Sequence, residues 1–113
     1  MQYPNRRLYN RVNFLRPILI IIDPQVSING RLRDISTKAA FVEMKYNVYL
    51  KRDDELKFKI QMDNEDPESV IEGNARISRI APGEGLAIYF FDLSAAQTKQ
   101  LEQLVASNSS NGY

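Results

Sequence analysis

The chain is 113 residues long, with 43% hydrophobic and 26% charged residues, which is typical of one globular domain and excludes a disordered or two-domain protein. It contains no cysteine, histidine or tryptophan, so disulfide frameworks, thiol or imidazole catalysis and zinc clusters are excluded. Its 15 basic and 14 acidic residues nearly cancel, but they are unevenly distributed along the chain.

The first 33 residues carry almost all of the charge asymmetry. They hold six arginines, no lysine and one acid, a net charge of +5, whereas residues 34–113 hold nine basic and thirteen acidic residues, a net charge of −4. Arginine binds phosphate and guanine edges through a planar fork of donors. The segment therefore predicts a small or local anionic ligand, with a solvated basic tail as the structural alternative.

Residues 1–13 lack apolar periodicity, and we expect them to form a flexible N-terminal arginine arm. A β-branched run at residues 14–22 predicts the first strand. Its aliphatic part is far shorter than the roughly 20 residues that span a bilayer, so we expect no membrane insertion and a cytoplasmic protein.

Five further strands follow from apolar runs bounded by turn residues. They are predicted at residues 29–35, 40–44, 55–62, 74–80 and 86–91. The clearest is 55–62, where apolar and polar residues alternate and predict one buried and one exposed face. An acidic turn is expected at residues 63–69, and Pro82 to Gly85 predict a tight connection into the last strand.

The end of the chain carries the signature of a helix start. Ser94 is placed as an N-cap with Gln97 three residues later, which is a capping box. A helix is predicted over residues 95–106, with an apolar stripe at Leu101, Leu104 and Val105. Residues 107–113 are small and polar, and we expect a disordered tail.

Six short strands followed by one helix predict an all-β domain over residues 14–106. An antiparallel barrel and a sandwich, each with a terminal helix, both fit this spacing. A closed barrel leaves no exposed sheet edge, which favours it in a chain this short.

Three motifs stand in order around these elements. They are Arg6-Arg7-x-x-x-Arg11 before the first strand, Asp34-x-Ser36-x-x-Ala39 after the second, and Gly85-x-Ala87-x-x-Phe90 in the last. Together they resemble the PilZ domain family, bacterial six-stranded antiparallel β-barrels with a C-terminal helix that bind the second messenger cyclic di-GMP. The resemblance extends over residues 6–106 and implies a single-domain cyclic di-GMP receptor.

The resemblance also implies roles for individual residues. Arg7 and Arg11 correspond to the motif arginines, which can grip the O6 and N7 acceptors of guanine. Asp34 corresponds to the motif acid, whose carboxylate can accept from guanine N1–H and N2–H2, and Ser36 supplies a small hydroxyl. From the residues alone, a turn ending a strand is the competing interpretation of this last pair.

Two features distinguish this chain within the resemblance. An arginine at position 6 implies two stacked cyclic di-GMP molecules per protomer, the alternative being a solvated side chain. Ala39 and Ala87 replace two motif glycines. If those glycines serve a positive φ, alanine costs about 1 kcal/mol of strain, and if they serve close approach, the methyl group intrudes on the ligand.

The leading hypothesis is a receptor that orders its arm on ligand binding and signals to an unidentified protein partner, with no cofactor, no metal and no catalysis. The first alternative is a degenerate PilZ-like interaction module that binds no nucleotide. A single-stranded nucleic-acid binder is disfavoured because most aromatic residues are predicted to face inward, so neither DNA nor RNA is expected. An enzyme is disfavoured because the carboxylate clusters fall in turns.

Overall fold

The computed structural model describes residues 16–45, 50–63 and 66–110. The strands are β1 (Arg16–Asp23), β2 (Val26–Ile35), β3 (Ala39–Glu43), β4 (Glu55–Asp63), β5 (Asp66–Ala81) and β6 (Gly85–Phe91), followed by helix α1 (Ala95–Ser110). All neighbouring strands are antiparallel, and the order β1-β2-β3-β6-β5-β4 closes through pairing of β4 with β1. The predicted β-barrel with a C-terminal helix is confirmed, and the sandwich alternative is wrong.

Apolar side chains that alternate along the strands fill the barrel. Phe58 is fully buried and packs 4.9 Å from Phe90, measured between ring centroids. No charged or polar residue in the described part of the chain is buried. Each buried large apolar side chain contributes about 1.5–3 kcal/mol of transfer free energy. The other residues of this core include Ile18, Ile20, Leu32, Val42, Leu56, Ile60, Ile71, Ile77, Leu86 and Ile88.

Two glycines permit close approaches that any side chain would block. Gly73 pairs with Phe58 across the β4–β5 ladder, and an added Cβ would lie 3.0 Å from the Phe58 ring. At Gly85 the backbone has a φ of 156°, and a Cβ would run into the Val42 carbonyl oxygen. The glycine that begins the last motif is therefore required by the packing of β6 against β3.

Helix α1 begins at the predicted capping box, which the hydrogen bonds confirm. The Ser94 N–H donates to Gln97 Oε1 over 2.7 Å, and the Gln97 N–H donates to Ser94 Oγ over 3.1 Å. Gln97 Nε2 also donates to the Glu72 carbonyl oxygen in β5. Leu101 and Leu104 are buried and join the barrel core. None of the described helices has the length and hydropathy to cross a membrane.

The main differences from the predicted elements concern their ends. β5 begins at Asp66, so the acidic turn predicted at 63–69 is shorter than expected. Its acidic residues Glu68 and Glu72 are exposed on the outer face, where charge does not oppose strand formation. Helix α1 continues to Ser110, so residues 107–110 of the predicted disordered tail are helical. The predicted arm, residues 1–13, and the tail beyond 110 lie outside the described residues.

Candidate functional site

The structure brings Asp34, Ser36 and Ala39 together at the end of β2 and the start of β3. All three line one depression on the outer face of the barrel. The depression has a volume of about 620 Å³, within the range of roughly 300–1,000 Å³ found for small-molecule sites. The remaining predicted site residues, Arg6, Arg7 and Arg11, lie outside the described residues.

Four neighbouring strands form the floor of this depression, and helix α1 reaches its rim through Val105. Their outward positions align in register, with Asp34 opposite Phe41, Phe41 opposite Ala87, and Ala87 opposite Arg79. We call these four residues the outer row. The outer row crosses β2, β3, β6 and β5. The acid Asp34 lies at one end and the guanidinium of Arg79 comes from the other, with Phe41 and Ala87 between them.

A β-bulge in β2 turns Asp34 towards the outside. Leu32 pairs with Val42 inside the barrel, and the next paired residue of β2 is Asp34, which leaves Arg33 as the extra residue. Strict alternation from buried Leu32 would have placed the Asp34 carboxylate in the core. The bulge changes the phase by one residue and directs both Arg33 and Asp34 to the depression.

A second bulge has the same effect in β5. Ile77 pairs with Ile88 inside the barrel, and the next paired residue of β5 is Arg79, which leaves Ser78 as the extra residue. Ser78 and Arg79 are both exposed and both line the depression. The Ser78 hydroxyl donates to the Ala87 carbonyl oxygen over 3.2 Å. The two bulges therefore flank the depression on opposite sides.

Ser36 organises the turn between β2 and β3. Its Oγ accepts from the N–H groups of Lys38 and Ala39, each over 3.1 Å, and donates to the Ala39 carbonyl oxygen over 3.3 Å. The Ser36 N–H donates to the same carbonyl oxygen over 2.8 Å. These bonds give Ser36 the turn role that the residue pattern alone favoured. They also hold Ala39 beside the depression.

Phe41 forms an aromatic floor beneath two guanidinium groups. Although it points outward, it is only 8% exposed, because the Arg33 guanidinium carbon lies 4.5 Å and that of Arg79 5.9 Å from its ring centroid. Arg33 is also paired with two acids, Glu43 at 2.8 Å and Glu84 at 3.8 Å. Arg33 is thus electrostatically compensated within the protein.

A second row of outward-facing residues, beside the outer row, contains a polar cluster centred on Arg76. Ala39 pairs with Tyr89, Tyr89 with Arg76, and Arg76 with Glu55. The hydrogen bond to the Glu55 carboxylate, followed by that to Tyr89, raises the pKa of Arg76 above its ordinary value. The Arg76 guanidinium also lies 5.0 Å from the centroid of the Phe91 ring. Arg76 is therefore engaged by three neighbours on the two strands that flank it, β4 and β6.

The two alanines that replace motif glycines sit in ordinary strand backbone. Within residues 16–45, 50–63 and 66–110, the only non-glycine residues with positive φ are Asp53 and Asp92. Ala39 and Ala87 thus carry no left-handed strain, which removes the first of the two interpretations given above. Their methyl groups, by contrast, both border the depression, so close approach is the property that they affect.

Phe41 and Arg79 belong to the depression but were not identified from the sequence. Arg79 lies 45 residues beyond Asp34 and carries no motif. Its alternation with Ile77 would have predicted an inward, structural position. The surplus of arginine in the first 33 residues was a signal for Arg33, but no local pattern pointed to Arg79. In the part of the chain that the structure describes, no cluster of acidic side chains is arranged to hold a metal ion.

The closed six-stranded antiparallel barrel and its C-terminal helix define the class of the chain as a small β-barrel domain. The sequence profile of the PilZ domain family matches residues 5–107, so the chain belongs to the PilZ domain family. Members of this family are generally cyclic di-GMP receptors and not enzymes. No curated protein matches the chain significantly.

Solved structures with the same fold include three PilZ-containing or related proteins. The PilZ domain of CeSA from a cellulose-synthesizing bacterium is 22% identical, with a TM-score of 0.67 over 87% of this chain and 96% of that one. The Bacillus subtilis inhibitor of motility, MotI/DgrA, is 18% identical, with a TM-score of 0.73 over 90% of this chain and 50% of that one. The PilZ domain of Escherichia coli YcgR, solved with cyclic di-GMP, is 15% identical, with a TM-score of 0.71 over 90% and 87%.

Proposed function

We propose that this chain is a cyclic di-GMP receptor that binds its ligand on the outer face of β2, β3, β6 and β5. The observation that carries the proposal is the depression that collects Asp34, Ser36 and Ala39, in a chain of a family of cyclic di-GMP receptors. The net charge of +5 in the first 33 residues supports it further, because the ligand carries two phosphodiesters.

Each motif residue has a defined part in this proposal. Asp34 accepts from the N1–H and N2–H2 donors of one guanine, since an ionised carboxylate offers only acceptors. Arg7 and Arg11 come from the segment before β1 and bind guanine O6 and N7 or phosphate oxygens from the side opposite the barrel. Ala39 sets how closely the ligand approaches the sheet.

Ser36 combines its turn role with a ligand contact. Because Ser36 Oγ already accepts hydrogen bonds from two backbone N–H groups, its hydroxyl proton is the only group that it can direct towards a ligand. That proton now donates over 3.3 Å to the Ala39 carbonyl oxygen, a long bond for an O–H donor. Moving the donation to a phosphate oxygen replaces a weak bond with a charge-assisted one.

Residues 1–13 are proposed to become ordered when the ligand binds. Fixing a backbone residue costs roughly 1–2 kcal/mol. The free energy of binding is therefore the favourable contribution of the charge-assisted contacts minus the cost of ordering this segment. The ordered segment then presents a new surface to a downstream protein partner, which is unidentified. Arg6 is proposed to favour two stacked ligand molecules per protomer.

Isothermal titration calorimetry with cyclic di-GMP, cyclic di-AMP and GTP tests the proposal directly. We expect heat from cyclic di-GMP alone, with a stoichiometry near two ligands per protomer. The variant Arg6→Leu is expected to lower the stoichiometry to one while binding persists. An absence of heat and of amide chemical-shift changes at saturating cyclic di-GMP contradicts receptor function.

A degenerate interaction module is the second candidate, favoured by Ala39 and Ala87. Their methyl groups narrow the depression at the two positions where the family motif has glycine. The same titration separates the candidates, because the module binds no nucleotide. The double variant Ala39→Gly/Ala87→Gly then shows whether the two methyl groups prevent nucleotide binding. Their removal restores binding only if they block the approach of the ligand to the sheet.

A further inference from the structure

A β-bulge brings Arg79 to the depression, as a β-bulge does for Asp34. Each follows a buried residue two positions earlier, Ile77 and Leu32, and each is turned outward by a one-residue bulge. β-Bulges are enriched beside binding sites, where they re-aim a side chain. The two bulges lie at opposite ends of the outer row, and each one ends at the residue that belongs to the row.

The charge of Arg79 is uncompensated within the described residues. Arg33 pairs with Glu43 and Glu84, and Arg76 pairs with Glu55. For Arg79, which is exposed, no acidic partner occurs among residues 16–45, 50–63 and 66–110, and its guanidinium lies over the Phe41 ring. Of the two described arginines that line the depression, Arg33 and Arg79, Arg79 is the one whose donors are available to an anion or a base edge.

The outer row carries an acceptor group and a donor group on one surface, which are the two kinds of group that the edges of a guanine require. Three strand intervals separate Asp34 from Arg79, about 14 Å along the sheet. Ala87 lies between them with only a methyl group, and the ring of Phe41 lies beneath the guanidinium groups of Arg33 and Arg79. A carboxylate offers acceptors to the N1–H and N2–H2 edge of guanine, and a guanidinium offers a fork to its O6 and N7 acceptors. Adenine presents an amino donor instead of O6, so the same pair of residues disfavours it.

We propose that Arg79 contacts the ligand directly and reads the O6 and N7 acceptors of a guanine, opposite Asp34. This inference rests on the proposed receptor function and assigns to it a specificity-determining residue outside the sequence motifs. The Phe41 ring positions the guanidinium plane, and the Arg79 fork selects guanine over adenine.

Titration calorimetry of four proteins against two ligands tests this assignment. The proteins are the unaltered chain, Arg79→Ala, Arg79→Lys and the control Arg52→Ala, which removes an exposed arginine that does not line the depression. The ligands are cyclic di-GMP and its analogue with both guanines replaced by 7-deazaguanine, which lacks the N7 acceptor. Thermal melting of each variant verifies that the barrel is intact.

We expect Arg79→Ala to weaken cyclic di-GMP binding roughly five- to hundredfold, as for loss of a bidentate base contact. Arg79→Lys should lose nearly as much, because lysine is a point charge without the fork. Arg52→Ala should leave affinity unchanged. The unaltered chain should discriminate against the 7-deaza analogue more strongly than Arg79→Ala does.

The assignment is overturned if Arg79→Ala binds cyclic di-GMP within about twofold of the unaltered chain, the range expected of independent sites. It is also overturned if Arg79→Ala weakens both ligands by the same factor, or if Arg79→Lys restores full affinity, since Arg79 then acts only as a charge. If the unaltered chain itself gives no heat, the receptor function fails, which is a distinguishable result.

Discussion

The inner and outer faces of the barrel use the same strands for different purposes. On the inner face, side chains such as Phe58 and Ile88 are fully buried, and no described polar residue shares their environment. On the outer face, the outer row combines an acid, an aromatic ring, a methyl group and a guanidinium. The comparison predicts that substitutions of alternate residues in one strand alter stability and the proposed ligand recognition separately.

The largest effect is expected on the inner face. Phe58→Ala removes a fully buried ring that packs on Phe90, and it should lower the free energy of unfolding by about 3–5 kcal/mol. Its exposed neighbour is the matched control, since Lys57→Ala should change stability by no more than about 0.5 kcal/mol. Urea unfolding followed by circular dichroism measures both. Equal losses in the two variants contradict the division between faces.

The next-largest effect is expected on ligand affinity, with little change in folding stability. Arg7→Ala or Arg11→Ala should weaken cyclic di-GMP binding by about 2–4 kcal/mol, the range for losing one partner of a charge-assisted contact. The free energy of unfolding should change by less than about 0.5 kcal/mol, as for surface residues. Calorimetry and urea unfolding on the same preparations give both quantities. A large loss of stability in either variant means that these arginines are structural.

Ser36 belongs both to the β2–β3 turn and to the proposed ligand site, so its substitution should lower both folding stability and ligand affinity. Ser36→Ala removes three hydrogen bonds that close the β2–β3 turn, which should cost about 1 kcal/mol or slightly more of folding stability. Ligand affinity should fall as well, because the hydroxyl proton is lost. Ser27→Ala, in an exposed part of β2, is the control. Reduced stability with unchanged affinity restricts Ser36 to the turn.

The smallest effect is expected at Ala39. Ala39→Gly removes a methyl group at the border of the depression, so cyclic di-GMP affinity should stay equal or rise. Folding stability should fall by roughly 0.5–1 kcal/mol, because glycine weakens a strand. The backbone here has no positive φ, so no relief of strain opposes that loss. Severalfold weaker binding by the glycine variant means that the methyl group makes a favourable contact.

Much of the fold was predictable because its signals are local. The alternation in β4, the tight connection before β6 and the capping box at Ser94 each involve residues within a few positions of one another. The true extent of β5 was missed, because charged residues on an open outer face look like a turn in the sequence. The helix was predicted too short, since no glycine or proline marks its end before Gly112.

The candidate site was predictable only in part. Asp34, Ser36 and Ala39 fall within one motif, so their common location follows from their spacing. The division of roles among Arg33, Arg76 and Arg79 does not, because it depends on which acids the fold places beside each guanidinium. Glu43, Glu84 and Glu55 come from other parts of the chain and reach these arginines only through strand pairing.

The sequence by itself determined the six apolar strands, the capped helix and the order of the three motifs, because side-chain periodicity and capping act over short stretches of chain. Only the tertiary structure decided that Asp34 and Arg79 face outward in one row. Their direction depends on bulges in β2 and β5, and a bulge is a mismatch between two paired strands. Its position is settled when the barrel closes and the core residues on both sides of it are buried together.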